Sequence, residues 1–136
     1  MKDSTQSFEN ACQRIAVAVV ASVLILASFS AGASTCDMLR SNVDDARTYL
    51  QRAARASDLD DARNYARRAR NSLDDAASSA RDCDCQSAYS EFDDAATRAR
   101  RARDSDDADE FSDNLNRAIR SFNDAIDYLR SCARRR

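Results

Sequence analysis

The sequence predicts an all-α protein made of two tandem disulfide-stapled helical hairpins, and three observations carry that expectation. Proline is absent and glycine occurs once in 136 residues, so almost nothing in the chain interrupts a helix. Apolar residues recur at alternating spacings of three and four from residue 39 onward, which is the rhythm of a helix–helix seam. Finally, Cys36 and Cys83 are 47 residues apart, and so are Cys85 and Cys132. Sliding the chain by 49 residues lays 36–83 on 85–132 without a gap, and 17 of 48 positions are then identical. Chance in so Ala-, Arg- and Asp-rich a composition would give about six, so the pattern reads as an internal repeat.

The first segment reads as a targeting leader. Lys2 and Arg14 precede an apolar run from Ile15 to Phe29, followed by Ala31 and Ala33 at the two positions a signal peptidase reads. The fifteen residues of this run fall short of the roughly 20 that cross a bilayer as a helix, so cleavage after Ala33 is favoured over a retained anchor. The expected division is therefore 1–33 as signal peptide, 34–84 as the first hairpin, and 85–136 as the second with a basic tail. No stable membrane span is expected after cleavage. Removing the leader also removes Cys12, and the odd count of five cysteines becomes four. Four thiols in a small exported chain point to two disulfides and to a secreted or periplasmic location.

Each repeat divides into two helices. Leu39, Val43, Ala46, Leu50 and Ala53 form the stripe of the first; Leu59, Ala62, Ala66, Ala69, Leu73, Ala76 and Ala80 form that of the second. The second repeat supplies Ala88, Phe92, Ala95, Ala99 and Ala102, then Ala108, Phe111, Leu115, Ala118, Phe122, Ala125 and Leu129. Alanine dominates these coiled-coil-like seams, so backbones can approach closely but little apolar area is buried per contact. Ser57 with Asp60, and Asp106 with Asp109, read as capping pairs for the second helices, while Thr35 and Asp84 read as caps for the first. Folding each repeat on itself brings its two cysteines together, predicting Cys36–Cys83 and Cys85–Cys132. Each closure is worth about 4 kcal/mol on the chain-entropy model, comparable with the whole margin of a thin-cored scaffold.

Asp84 alone separates the repeats, which leaves two arrangements open. One is a small four-helix bundle; the other is a pair of hairpins sharing a long central helix.

Composition excludes much chemistry. Histidine is absent, so Ser-His-Asp and Cys-His catalysis and His-bearing metal sites are out. The lone glycine removes phosphate-cradling loops, and a net charge of −2 argues against nucleic acid as partner. The expectation is a non-enzymatic binding or scaffold protein, without cofactor or metal. Its partner would be a protein or an anionic cell-surface component.

Three features carry chemistry. Cys83-Asp84-Cys85 could bind copper or exchange disulfides as a thiol-dependent alternative, although the matched spacings assign each cysteine to its own staple. Recurrent Asp-Asp pairs superficially resemble calcium ligands; ion pairing within helices accounts for them better, as in Asp44–Arg47, Asp60–Arg63, Asp94–Arg98, Asp113–Arg117 and Asp127–Arg130. Arginine is the third. Nineteen of the 21 cationic residues lie beyond residue 33, and all of those are Arg. Arg63, Arg67 and Arg70, with the tail Arg134, Arg135 and Arg136, form a candidate anion-binding set. Interleaved aspartates and a GC-rich coding bias give a plainer reading of the same residues.

Overall fold

The computed structural model describes residues 36–134, and these are helical apart from short connections, with no strand among them. Helix α1 occupies 36–55. It is followed by α2 (Leu59–Asp82), α3 (Gln86–Asp104) and α4 (Ala108–Ala133). The expected leader, with Thr35, lies outside the described residues, as do Arg135 and Arg136.

The helices close into a four-helix bundle of up-down-up-down topology. Helix α3 packs along both α2 and α4, whereas α2 and α4 barely touch and are therefore diagonal. Helix α1 completes the square. It meets α2 through the Cys36–Cys83 disulfide and through Asn42, whose Nδ2 donates to Ser79 Oγ at 3.4 Å. It meets α4 where the Arg47 guanidinium lies 5.8 Å from the centre of the Phe122 ring. Of the two arrangements open from sequence, the bundle is the one that forms.

The central helix of the rejected arrangement is broken at Asp84. This residue takes φ = +58°, in the left-handed region. Its N–H donates to the Arg81 carbonyl at 3.0 Å, and the Cys85 N–H reaches back to the Ala80 carbonyl at 2.9 Å. That pair of bonds closes the C-terminus of α2 and turns the chain within three residues. Aspartate tolerates this conformation better than most non-glycine residues. Asp84 is thus the reversal residue of α2 and not the expected cap of α3, which begins after Cys85 without a side-chain cap.

The other two starts sit one residue later than the sequence reading placed them. Asp58 accepts from the Asp61 N–H at 3.0 Å, and Asp107 accepts from the Glu110 N–H at 2.8 Å. Asp58 and Asp107 occupy equivalent places, 22 residues after the first cysteine of their hairpins. In both, the aspartate has the extended backbone a cap requires, and its carboxylate accepts from the backbone N–H three residues on. The connection 56–58 makes α1 the shorter partner of its hairpin, which accounts for a turn that precedes the midpoint between Cys36 and Cys83.

The seam is alanine, as the periodicity implies. Ala46, Ala66, Ala69, Ala76, Ala80, Ala95, Ala99, Ala102, Ala118 and Ala125 are fully buried. Larger side chains punctuate it at Leu50, Leu73, Phe92 and Phe122. Phe92 of α3 and Phe122 of α4 meet with ring centroids 6.1 Å apart and planes tilted by 55°, a favourable aromatic geometry. Ala108 departs from the expected stripe: as the first residue of α4 it is exposed.

Candidate binding grooves and the disulfide end of the bundle

Both disulfides lie at one end of the bundle. Cys36–Cys83 joins α1 to the end of α2, with Cα atoms 5.9 Å apart, and Cys85–Cys132 joins the start of α3 to α4 at 6.0 Å. The three-residue reversal brings the two bridges side by side. The Cys85 sulfur lies 3.6 Å from the Cys83 carbonyl oxygen, and the Cys132 sulfur 3.7 Å from that of Asp84.

Helices α1 and α4 are neighbours that no connection joins, and at the disulfide end the seam between them opens into a groove of about 320 Å³. Its walls are Leu39 and Val43 from α1, Leu129 and Ala133 from α4, and the four cysteines. Spacing explains the lining. Leu39 and Val43 are four apart on α1, while Leu129, Cys132 and Ala133 fall within one turn of α4, so each set presents one face. Among the described residues of the lining, Arg40 is the single charged one. Met38 and Tyr128, 55% and 45% exposed, are the large apolar side chains left open to solvent among the described residues, and both lie on the helical turns that form this end. The groove thus offers apolar contact plus one cation, the usual make-up of a small-ligand site. The seam pattern placed Leu39, Val43 and Leu129 in the core; their position beside the cysteines was the signal that they also border an opening.

Thiol chemistry at Cys83 and Cys85 would require a free thiol or thiolate. Each sulfur is instead bonded to a cysteine 47 residues away. Among the described residues, no group of three His, Cys, Asp or Glu is arranged to hold a metal ion.

Among the described residues the candidate anion-binding arginines fall in two places, Arg63, Arg67 and Arg70 on α2 and Arg134 after α4. Arg63, near the start of α2, donates through Nε to the Ser105 carbonyl at 3.0 Å and through a terminal nitrogen to the same oxygen. It also pairs with Asp60 at 3.4 Å. Arg67 bonds to Asn64 at 3.3 Å, and Arg70 pairs with Asp74 at 3.0 Å. Arg134 lies after α4 at the disulfide end, the opposite end from Arg63. All five helical ion pairs expected from sequence form, between 2.9 and 3.4 Å. Mostly exposed, they contribute tenths of a kcal/mol each, about 0.3–0.5 for pairs of this spacing.

Three carboxylates depart from ordinary behaviour: Asp94, Asp74 and the exposed Asp104, which the Arg103 hydrogen bond holds low. The Arg98 hydrogen bond at 2.9 Å, with a second from Ser121 Oγ at 2.8 Å, holds Asp94 below the usual carboxylate range. Desolvation raises Asp74, against the pull of Arg70. Asp94 therefore stays ionised and ties α3 to α4 through Ser121. Sequence alone shows the Asp94–Arg98 spacing but not this third partner, which is 27 residues away.

Comparison with known proteins adds the family. No curated protein and no solved structure matches the chain significantly. A family model described as "Tar ligand binding domain homologue" matches residues 14–109, well over half of the chain, through α3 and the start of α4. This chain belongs to the family of Tar ligand-binding-domain homologues, and is a helical ligand-binding domain.

Proposed function

We propose that the protein is a non-catalytic, extracytoplasmic ligand-binding module that takes a small ligand into the groove between α1 and α4. The observation that carries this reading is the groove itself: an apolar concavity with one cation, in a chain whose family is a ligand-binding one. The two disulfides support a location outside the reducing cytosol, secreted or periplasmic, in line with the leader expected over 1–33. Through the Cys83–Asp84–Cys85 reversal they also tether the start of α1 to the end of α4, which restricts the mouth. That preorganisation lowers the entropy lost on binding.

The ligand chemistry follows from the lining. Leu39, Val43 and Leu129 favour an apolar body, and Arg40 favours a terminal carboxylate. Hexanoate and hexanol make a matched pair of probes, alike except for the charge. Amide chemical-shift titration of the oxidised protein is expected to show hexanoate moving the signals of residues 39–43 and 129–133. Replacing Arg40 with Gln should weaken hexanoate about tenfold and leave hexanol unchanged, as expected for one charge-assisted contact. If neither probe perturbs the groove at millimolar concentration, the reading fails.

A further inference from the structure

A second concavity lies on the other side of α4. Arg98 of α3 and Arg117, Arg120, Ser121 and Asp124 of α4 line a shallow recess of about 390 Å³. On α4 these positions fall at spacings of three, four and seven and so share one face. Three arginines from two helices line it.

The first hairpin shows what this placement means. Counting from the first cysteine of each hairpin, Arg98 corresponds to Tyr49 and Arg117 to Arg68. In the first hairpin the two are complementary: the Arg68 guanidinium lies 5.9 Å from the centre of the Tyr49 ring. In the second hairpin the aromatic partner is an arginine, so the same two positions bring like charges to one recess. Asp94 and Asp113 offset this in part, one on each arginine, and an external anion would offset it further.

The local bonding leaves donors for that anion. Arg98 uses its Nε on Asp94 at 2.9 Å, and no protein acceptor engages its two terminal nitrogens among the described residues. Arg117 uses one terminal nitrogen on Asp113 at 2.9 Å. Arg120 has no ion pair among the described residues, although Asp124 shares the lining and competes for its charge. Asp94, itself fixed by Ser121, holds Arg98 in place. Guanidinium forks in this setting match the oxygens of a tetrahedral oxyanion.

We propose that the Arg98–Arg117–Arg120 recess binds a phosphate group, either free phosphate or the head of a phosphomonoester. Two of its three arginines lie in the part of α4 beyond the matched span, so the site goes beyond the family reading and is independent of the α1–α4 groove.

The test is titration of the full oxidised protein, following the arginine Nε–H signals by nitrogen-edited NMR. Inorganic phosphate and glycerol phosphate are the two probes, with sodium chloride at matched ionic strength as control. Saturable movement of the Arg98 and Arg120 signals is expected with phosphate and not with chloride. Tighter binding of glycerol phosphate would identify an esterified source, and equal binding a free one. Arg98→Tyr, which restores the first hairpin's pairing, should weaken phosphate about tenfold or more, and exposed Arg120→Gln should do so without altering thermal stability. Asp124→Asn should tighten binding by removing the competing charge. Chloride reproducing the shifts, or Arg98→Tyr and Arg120→Gln both binding phosphate like the native protein, would overturn the proposal.

Discussion

The Arg63 side chain on α2 donates to the main-chain carbonyl of Ser105, 42 residues away in the connection between α3 and α4. Ser105 is almost fully buried and is a junction for three helices. Its hydroxyl donates to the Arg101 carbonyl at 2.8 Å and accepts from Asn114 at 3.4 Å. At the end of the bundle that has no disulfide, this polar cluster joins the first hairpin to the second. Arg63→Ala should therefore cost about 1.5–3 kcal/mol, the range for a charge-assisted bond to a buried acceptor. Lysine at this position should recover only part of the loss, because it lacks the fork that places two donors on one oxygen. Urea denaturation of the three proteins measures the effect.

Each disulfide closes a 47-residue separation over an alanine-lined seam. Replacing Cys36 and Cys83 together with serine is expected to lower stability by about 2–4 kcal/mol, and the Cys85/Cys132 pair to do the same. Full reduction should bring most of the chain to the edge of unfolding. Circular dichroism melts with and without reductant give the comparison.

The reversal at Asp84 depends on a positive φ. A β-branched residue cannot adopt it without strain, so Asp84→Val should destabilise by about 1–2 kcal/mol, whereas Asp84→Gly should remain within about 1 kcal/mol of the native protein. Paired chemical denaturation curves distinguish the two substitutions.

Among the described residues Phe92 is the largest side chain wholly excluded from solvent, and it meets Phe122 across the α3–α4 seam. Truncation to alanine leaves a cavity that neighbouring alanines cannot fill. The expected loss is about 3–5 kcal/mol, measurable as a lowered denaturant midpoint with an unchanged slope.

Asp94 predicts a pH dependence. Its folded pKa lies below the unfolded value, so its stabilising contribution is present above the unfolded carboxylate range and is lost as pH falls through the folded value. Asp94→Asn should be less stable at neutral pH and should converge on the native protein in acid. Thermal midpoints followed from neutral pH into acid should show the gap between the two proteins closing as Asp94 becomes protonated.

Much of this architecture is legible in the sequence because it is periodic and local. The alanine stripes, the five helical ion pairs and the matched cysteine spacings all follow from residues a fixed distance apart. What escaped was set by competition or by distance. Ser57 and Asp58 both offer a capping oxygen, and the sequence does not say which of the two is used. Asp84 reads equally as a helix cap or as a left-handed reversal, since aspartate is suited to both. Arg63 carries a local signal toward Asp60 that conceals its bond to Ser105. The groove beside Leu39 and the recess beside Arg98 depend on which helices become neighbours, which no single stripe specifies.

Peptide mapping of the native, unreduced protein is the most direct check on this picture of two self-clasped hairpins packed as one bundle. Cleavage between the cysteines, followed by mass spectrometry, should recover Cys36 joined to Cys83 and Cys85 joined to Cys132, with no alkylatable thiol among the four. A crosslink between Cys36 and Cys132, or between Cys83 and Cys85, would contradict it.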